Sequence, residues 1–140
     1  MADAVPPNHN RPLSPFLFPP TGTYRWQLTS TMSILHRLTG LALTLGAGML
    51  AWWLLALLGA PSDFEAVQHF LSSPIGRLLL LGWTWSLFFH LADGIRHLIW
   101  DTGHAMTLPA VYRGGWIVLA MSILLTAAAW YGACVLVQGG

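Results

Sequence analysis

The sequence predicts an all-α integral membrane protein with three transmembrane helices. Of the 140 residues, 55% are hydrophobic and only 8% are charged, whereas a soluble domain carries roughly a quarter charged residues. Six basic and five acidic side chains are too few to cover a soluble surface, and the formal net charge of +1 gives no reason to expect nucleic acid as a partner. The composition therefore excludes a soluble enzyme, a disordered tail and a nucleic-acid-binding protein, and it predicts membrane lipid as the surroundings.

Residues 1–32 are predicted to form a cytoplasmic, proline-rich segment that precedes the membrane domain. This segment has an early acidic residue, no basic stretch at its start and prolines that interrupt any apolar run, so it does not resemble a secretory signal peptide. It is also too poor in arginine and serine for a transit peptide, which favours a bacterial chain. Tyr24, Trp26 and Leu28 are expected to anchor a short interfacial stretch, because aromatic residues are enriched at headgroup depth.

Three apolar segments predict the membrane domain, which covers residues 33–137. A helix needs about 20 apolar residues to cross the hydrocarbon core, and no charged residue occurs over 38–62 or over 114–140. The segment between these two is interrupted by polar side chains, but aromatic and aliphatic residues continue its helical pattern on both sides. The predicted helices cover about 33–60, 75–101 and 114–137.

The arginines predict the orientation of the chain, because basic residues are enriched in cytoplasmic loops. Five of the six lie before the first helix or beside the loop between the second and third helices, and one lies near the other loop. The N-terminus and the 101–113 loop are therefore expected in the cytoplasm, and the C-terminus outside.

Polar residues on the second predicted helix share one face. His90 and His97 are seven residues apart, which is about 700° of rotation and leaves them about 20° from alignment. Asp93 and Gly94 follow His90 at the spacings that place side chains on the same face, and Gly94 leaves open space against the backbone. Arg96 lies off this face and is expected to reach the cytoplasmic headgroups or another subunit.

A buried imidazole with a glycine one turn away and cations toward one interface fits a b-type haem. His90 is predicted to lie deep enough to ligate the iron, whereas His36, Arg37 and His97 lie nearer the cytoplasm, where propionates would point. His36 is expected about a turn inside the interface, too shallow to face His90 across a haem. The alternative is that His90 hydrogen-bonds a neighbouring helix, as polar residues do in membrane bundles.

A second polar cluster opens the first predicted helix, in SILHRLTG. Ser33 and Arg37 are spaced i, i+4 and face the same way, with His36 beside them, and Gly40 allows another helix to approach closely. A hydroxyl and a cationic donor on one face can hold a quinone carbonyl and stabilise its reduced, negatively charged forms. The alternative is that Arg37 reaches lipid phosphates and Ser33 caps the helix.

Three motifs carry a family resemblance: RPLSP at 11–15, SILHRLTG at 33–40 and HLADGIRHLIWDTGH at 90–104. Together they resemble the cytochrome b556 membrane-anchor subunit of succinate dehydrogenase, respiratory complex II, over about residues 11–137. The resemblance implies that the three helices form part of a haem-binding bundle shared with a second anchor subunit. The N-terminal pattern departs from the family at Phe16, and the carboxylate of Asp93 stands where relatives are often neutral.

The resemblance also implies roles for individual residues. His90 is an axial ligand of haem b iron, and the opposite ligand is a histidine of the second anchor subunit. His36 and His97 belong to the haem-propionate region, and Ser33 and Arg37 line a ubiquinone site at the iron–sulfur subunit. An ionised Asp93 would be costly in the membrane unless it is paired with Arg96, His97 or a partner's cation.

The implied role is that of an anchor without catalytic residues of its own. The flavoprotein and iron–sulfur subunits sit on the cytoplasmic face, and electrons from succinate pass through FAD and iron–sulfur clusters to ubiquinone. The isolated chain should catalyse nothing. The expected location is the bacterial cytoplasmic membrane, with the mitochondrial inner membrane as the alternative. Two rival functions are the anchor of a fumarate reductase and a small transporter subunit with His90, Asp93 and His97 as a proton path.

Overall fold

A computed structural model describes residues 27–138, with side chains up to residue 136. Over that range the chain forms four helices and no strand: α1 (Leu28–Leu58), α2 (Pro61–Ser72), α3 (Pro74–Asp101) and α4 (Leu108–Gln138). Three of them, α1, α3 and α4, are long and apolar enough to cross a membrane. The all-α architecture with three candidate spans is confirmed.

The helix α1 begins at Leu28, earlier than the predicted start at about 33. No glycine or proline interrupts the chain between Leu28 and Thr39, so nothing stops the helix from extending toward the N-terminus. Leu28 was expected in an interfacial stretch, but it lies in the first turn of α1 against α4, where a Cβ on Gly115 would come 3.0 Å from its Cδ2. The other two expected anchors, Tyr24 and Trp26, lie outside the described residues.

The short helix α2 is absent from the predicted elements. Pro61 opens it, where the missing N–H of proline costs no hydrogen bond, and the Asp63 carboxylate accepts from the Ala60 backbone N–H at 3.2 Å. The helix ends at Ser72, and the hydroxyl of the next residue, Ser73, accepts from the Gly76 N–H at 3.1 Å and so caps α3. The helix α2 contacts the end of α1 through two tilted aromatic pairs, Trp52–Phe70 and Trp53–Phe64.

The three long helices share a small core. Met32 of α1, Phe89 of α3 and Val118 of α4 are buried together. Most other large apolar side chains on these helices are exposed in the single chain, which is expected where lipid or another subunit covers the outer faces. Buried hydroxyls are satisfied locally: Ser86 and Thr126 each donate to a carbonyl four residues earlier, at 2.8 and 2.7 Å. The described chain therefore presents long apolar faces and one polar interior.

Candidate functional site

The polar interior is a cluster of five side chains between α1 and α3, here called the polar cluster. It lies where the first turns of α1 meet the last turns of α3. The rings of His36 and His90 stack, with centroids 4.0 Å apart and planes at 19°, and His97 lies 5.1 Å from His36, centroid to centroid. The members of the polar cluster are His36, His90, Asp93, Arg96 and His97.

His36 and His90 lie closer together than the sequence interpretation indicated. The His36 ring is stacked on that of His90, whereas the sequence interpretation placed His36 too shallow to face His90 across a haem. Gly40 explains the close approach, because a Cβ there would come 3.2 Å from Cε1 of His90. The helices α1 and α3 can therefore approach until the two imidazoles lie at one level.

The Nδ1 atom of His90 is held by α1. It lies 3.2 Å from the His36 carbonyl oxygen and 3.3 Å from the Thr39 hydroxyl oxygen. That hydroxyl donates its own hydrogen to the Leu35 or His36 carbonyl, at 2.8 and 3.0 Å. Because the His36 carbonyl can only accept, the hydrogen bond to it requires the proton on Nδ1, and the lone pair of the neutral ring then resides on Nε2. Thr39 was not singled out from the sequence, although it stands within the same motif as His36.

Asp93 is fully buried and sits among three basic side chains. Its Oδ1 accepts from Nε and Nη2 of Arg96, each at 2.8 Å. Its Oδ2 lies 3.0 Å from Nδ1 of His36 and 3.6 Å from Nδ1 of His97. The His36 contact lacks hydrogen-bond geometry, so it is an electrostatic contact. The pairing that the sequence interpretation required for Asp93 is present within the chain.

The expected position of Arg96 is wrong. Its side chain is 8% exposed and pairs with Asp93, instead of reaching outward to headgroups or another subunit. Two features accommodate it: Gly114 of α4, where a Cβ would come 3.3 Å from Cδ of Arg96, and the ring of Trp100, whose centroid lies 4.3 Å from the guanidinium carbon. A spacing of three residues from Asp93 lets the guanidinium turn back along α3.

Ser33 and Arg37 lie outside the polar cluster. Both are exposed on α1, at the same end of the bundle as His36 and His97, and the i, i+4 spacing places them on one face. The structure therefore separates the predicted site residues into two groups: the imidazoles of the polar cluster, with His36 and His90 half-buried and His97 at its exposed edge, and this pair on the outer surface of α1.

An apolar groove of about 490 Å³ starts one helical turn from His90, between α1 and α3. Gly82, where a Cβ would meet nothing within 4 Å, opens it from α3, and Gly46 lines it from α1 with the Trp83 ring packed against it. A Cβ on Gly94, one turn to the other side of His90, would meet nothing within 4 Å. His90 is therefore flanked along α3 by positions where side chains leave space.

The chain matches a known family over most of its length. Residues 7–129 match the family described as succinate dehydrogenase/fumarate reductase transmembrane subunit. The chain belongs to this family. The resemblance drawn from the three motifs is thereby confirmed, and family membership makes this an integral membrane protein whose three long helices are its spans.

Similar proteins within the family come from bacteria and from mitochondria. The chain is 41% identical to the succinate dehydrogenase cytochrome b556 subunit of Rickettsia felis over 122 residues, which cover 87% of this chain and 92% of the relative. It is 35% identical to the subunit of that name from Paracoccus denitrificans, over 83% of this chain and 86% of the relative. The mitochondrial cytochrome b560 subunit of Sus scrofa is 38% identical over 82% of this chain and 67% of the relative.

Proposed function

We propose that this chain is the membrane-anchoring cytochrome b subunit of a succinate:quinone oxidoreductase, and that it helps to bind haem b and to form the ubiquinone-reduction site. The observation that carries the proposal is the hydrogen bonding of the His90 ring. In a family of cytochrome b subunits, a half-buried imidazole whose Nδ1 is held by a backbone carbonyl has the arrangement of a ligating histidine, because that hydrogen bond fixes the ring and leaves Nε2 to bind metal.

The surroundings of His90 fit a porphyrin. The lone pair of Nε2 lies in the plane of the ring, so His36, stacked on the face of that ring, does not block it. The apolar groove and the open position at Gly94 supply space along α3 on both sides of His90. When bound, haem b accepts and returns one electron. In this proposal His36, beside His90, and His97, one to two turns further along α3, would face the propionates.

The second iron ligand comes from another subunit in this proposal. Two parallel rings stacked face to face cannot direct nitrogens at one iron from opposite sides, so His36 is unsuited to be the partner of His90. His69 and His104 lie in α2 and in the loop after α3, and both are exposed. A histidine of a second anchor subunit completes the coordination. The haem-binding bundle would therefore be formed by two anchor subunits together.

Ser33 and Arg37 form this chain's part of the quinone site in our proposal. Their exposed face on α1 is free to meet a quinone head and the iron–sulfur subunit at the cytoplasmic end. The hydroxyl and the guanidinium donate hydrogen bonds to a quinone carbonyl, and the fixed positive charge of Arg37 favours the ring as it gains electrons. The chain has one cysteine, too few to hold an iron–sulfur cluster, so the electron donor belongs to partner subunits and the anchor itself is not catalytic.

The arginine distribution supports an orientation with the N-terminus in the cytoplasm. The ends of α1 and α3 that carry the proposed sites then face the soluble flavoprotein and iron–sulfur subunits. The family name also covers fumarate reductase anchors, which run the reverse reaction, but the relatives described above are all named succinate dehydrogenase subunits. We therefore favour succinate oxidation and a bacterial cytoplasmic membrane.

An optical difference spectrum of the purified complex tests the proposal. Dithionite-reduced minus oxidised spectra should show b-type haem bands in the unmodified complex and lose them in His90→Ala. His69→Ala is the matched control, because it removes an exposed imidazole from α2 and should leave the bands unchanged. An assembled complex without haem bands, or His90→Ala with full haem content, would contradict the haem assignment.

A further inference from the structure

The buried carboxylate of Asp93 connects all three spanning helices. It lies on α3, its Oδ2 is 3.0 Å from Nδ1 of His36 on α1, and its Oδ1 holds the guanidinium of Arg96. Arg96 in turn packs its aliphatic part against Gly114 of α4. One carboxylate therefore pairs with the Arg96 cation and contacts the His36 imidazole.

A carboxylate with 0% exposure inside a membrane bundle is costly unless it is compensated. Here the compensation is internal, because Arg96 is itself buried and has Asp93 as its only acidic neighbour in the described part of the chain. Neither charge can be removed alone without leaving the other uncompensated in a medium of low dielectric constant. Asp93 lies less than one helical turn from His90 along α3, and Arg96 lies less than two turns from it.

We propose that Asp93 is a positioning residue: it balances the charge of Arg96 beside His36, and so sets the electrostatic environment of the proposed haem at His90. This inference rests on the proposed function for its haem readout. It goes beyond that function because nothing in the proposed haem or quinone chemistry requires a carboxylate at this place.

The charge balance predicts the direction in which each substitution shifts the haem midpoint potential. Asp93→Asn removes the anion and leaves the Arg96 cation, which favours the reduced haem because reduction lowers the positive charge of the iron. Arg96→Gln leaves the anion and has the opposite effect. A unit charge within about 12 Å at an effective dielectric constant of 20 changes the oxidised-to-reduced ratio by roughly tenfold, which is about 59 mV for one electron.

The test is a redox titration of the haem bands in purified complexes that carry Asp93→Asn, Arg96→Gln or both substitutions. We expect the haem midpoint potential to rise by about 59 mV in Asp93→Asn and to fall by about 59 mV in Arg96→Gln. In the double variant, which removes both charges, the ratio of oxidised to reduced haem at a given potential should lie within about twofold of that in the unmodified complex. Opposite shifts that cancel are the signature of charge balance, and general loosening of the structure would not produce them. Glu65→Gln is the matched control, because it removes one exposed carboxylate from α2.

Each outcome decides the inference. A potential in Asp93→Asn that matches Glu65→Gln, or that shifts downward, overturns it. Should either single variant fail to assemble, the double variant decides, because removing both charges must be tolerated, and its failure to assemble overturns the inference. An unmodified complex without haem would contradict the proposed function instead. The thermal unfolding midpoint would then test Asp93, since both single substitutions should lower it and the double substitution should recover most of the loss.

Discussion

Gly40 is the position where a minimal change should disturb the proposed haem site most selectively. A Cβ at Gly40 would lie 3.2 Å from Cε1 of His90, so alanine requires the imidazole to move by a few tenths of an ångström. Valine adds two methyl groups at the same point, and moving the His90 ring would disturb its stacking on His36 and its hydrogen bond to the His36 carbonyl. We expect Gly40→Val to displace the ring that the proposal makes an iron ligand.

The size of the expected loss of haem affinity follows from the free-energy cost of overpacking, which is typically about 1–3 kcal/mol. At 1.4 kcal/mol per tenfold, Gly40→Val should weaken haem binding by roughly five- to a hundredfold. Gly48→Val is a matched control in the same helix, because a Cβ at Gly48 would meet nothing within 4 Å. The two substitutions make the same change in helix propensity, so the difference between them isolates the contact with His90.

The assay is haem content per assembled complex, measured from the pyridine haemochrome spectrum, together with the thermal unfolding midpoint. Gly40→Val should lose haem and Gly48→Val should keep it, with Gly40→Ala between them. Equal haem content in Gly40→Val and Gly48→Val would refute the close approach of α1 to His90 and the fit argued from it.

Three further predictions concern the proposed sites. His97→Ala should leave the haem bound and at most shift its potential, because His97 is exposed and lies at the end of the space beside His90. Loss of the haem spectrum in His97→Ala, with retention in His90→Ala, would reverse the two assignments. Arg37→Ala should lower succinate-to-quinone turnover roughly ten- to a hundredfold and Ser33→Ala about two- to tenfold, because charge-assisted hydrogen bonds contribute about 1.5–3 kcal/mol and neutral ones about 0.5–1.5 kcal/mol. Succinate oxidation by an artificial acceptor, which bypasses the membrane site, should remain unchanged in both variants, and full quinone turnover in assembled Arg37→Ala would remove Arg37 from the site. The purified chain without its sister anchor should not form a low-spin bis-histidine haem; recovery of that spectrum from this polypeptide alone would contradict the shared coordination.

The sequence by itself determined the spanning segments and the family. Hydropathy and length are local properties, so α1 and α4 follow from uninterrupted apolar stretches, and α3 follows from an apolar helical pattern that continues on both sides of its polar residues. The motif around His36 and the motif around His90 identified the family, because their residues and order are read directly along the chain. The helix α2 was missed although Pro61 and Asp63 mark a helix start, since its apolar run is short and its partners are the aromatic side chains at the end of α1.

Only the tertiary structure decided which polar residues meet. Helical periodicity places His90 and Asp93 on one face of α3, but it does not fix how far α1 is shifted along α3 or how each helix is rotated. Those quantities depend on packing between helices, here on Gly40 against His90 and on the shared core of Met32, Phe89 and Val118. The stacking of His36 on His90 therefore appears only in three dimensions. The inward turn of Arg96 has the same origin, because the space beside Gly114 and the buried charge of Asp93 stabilise it more than an outward position would.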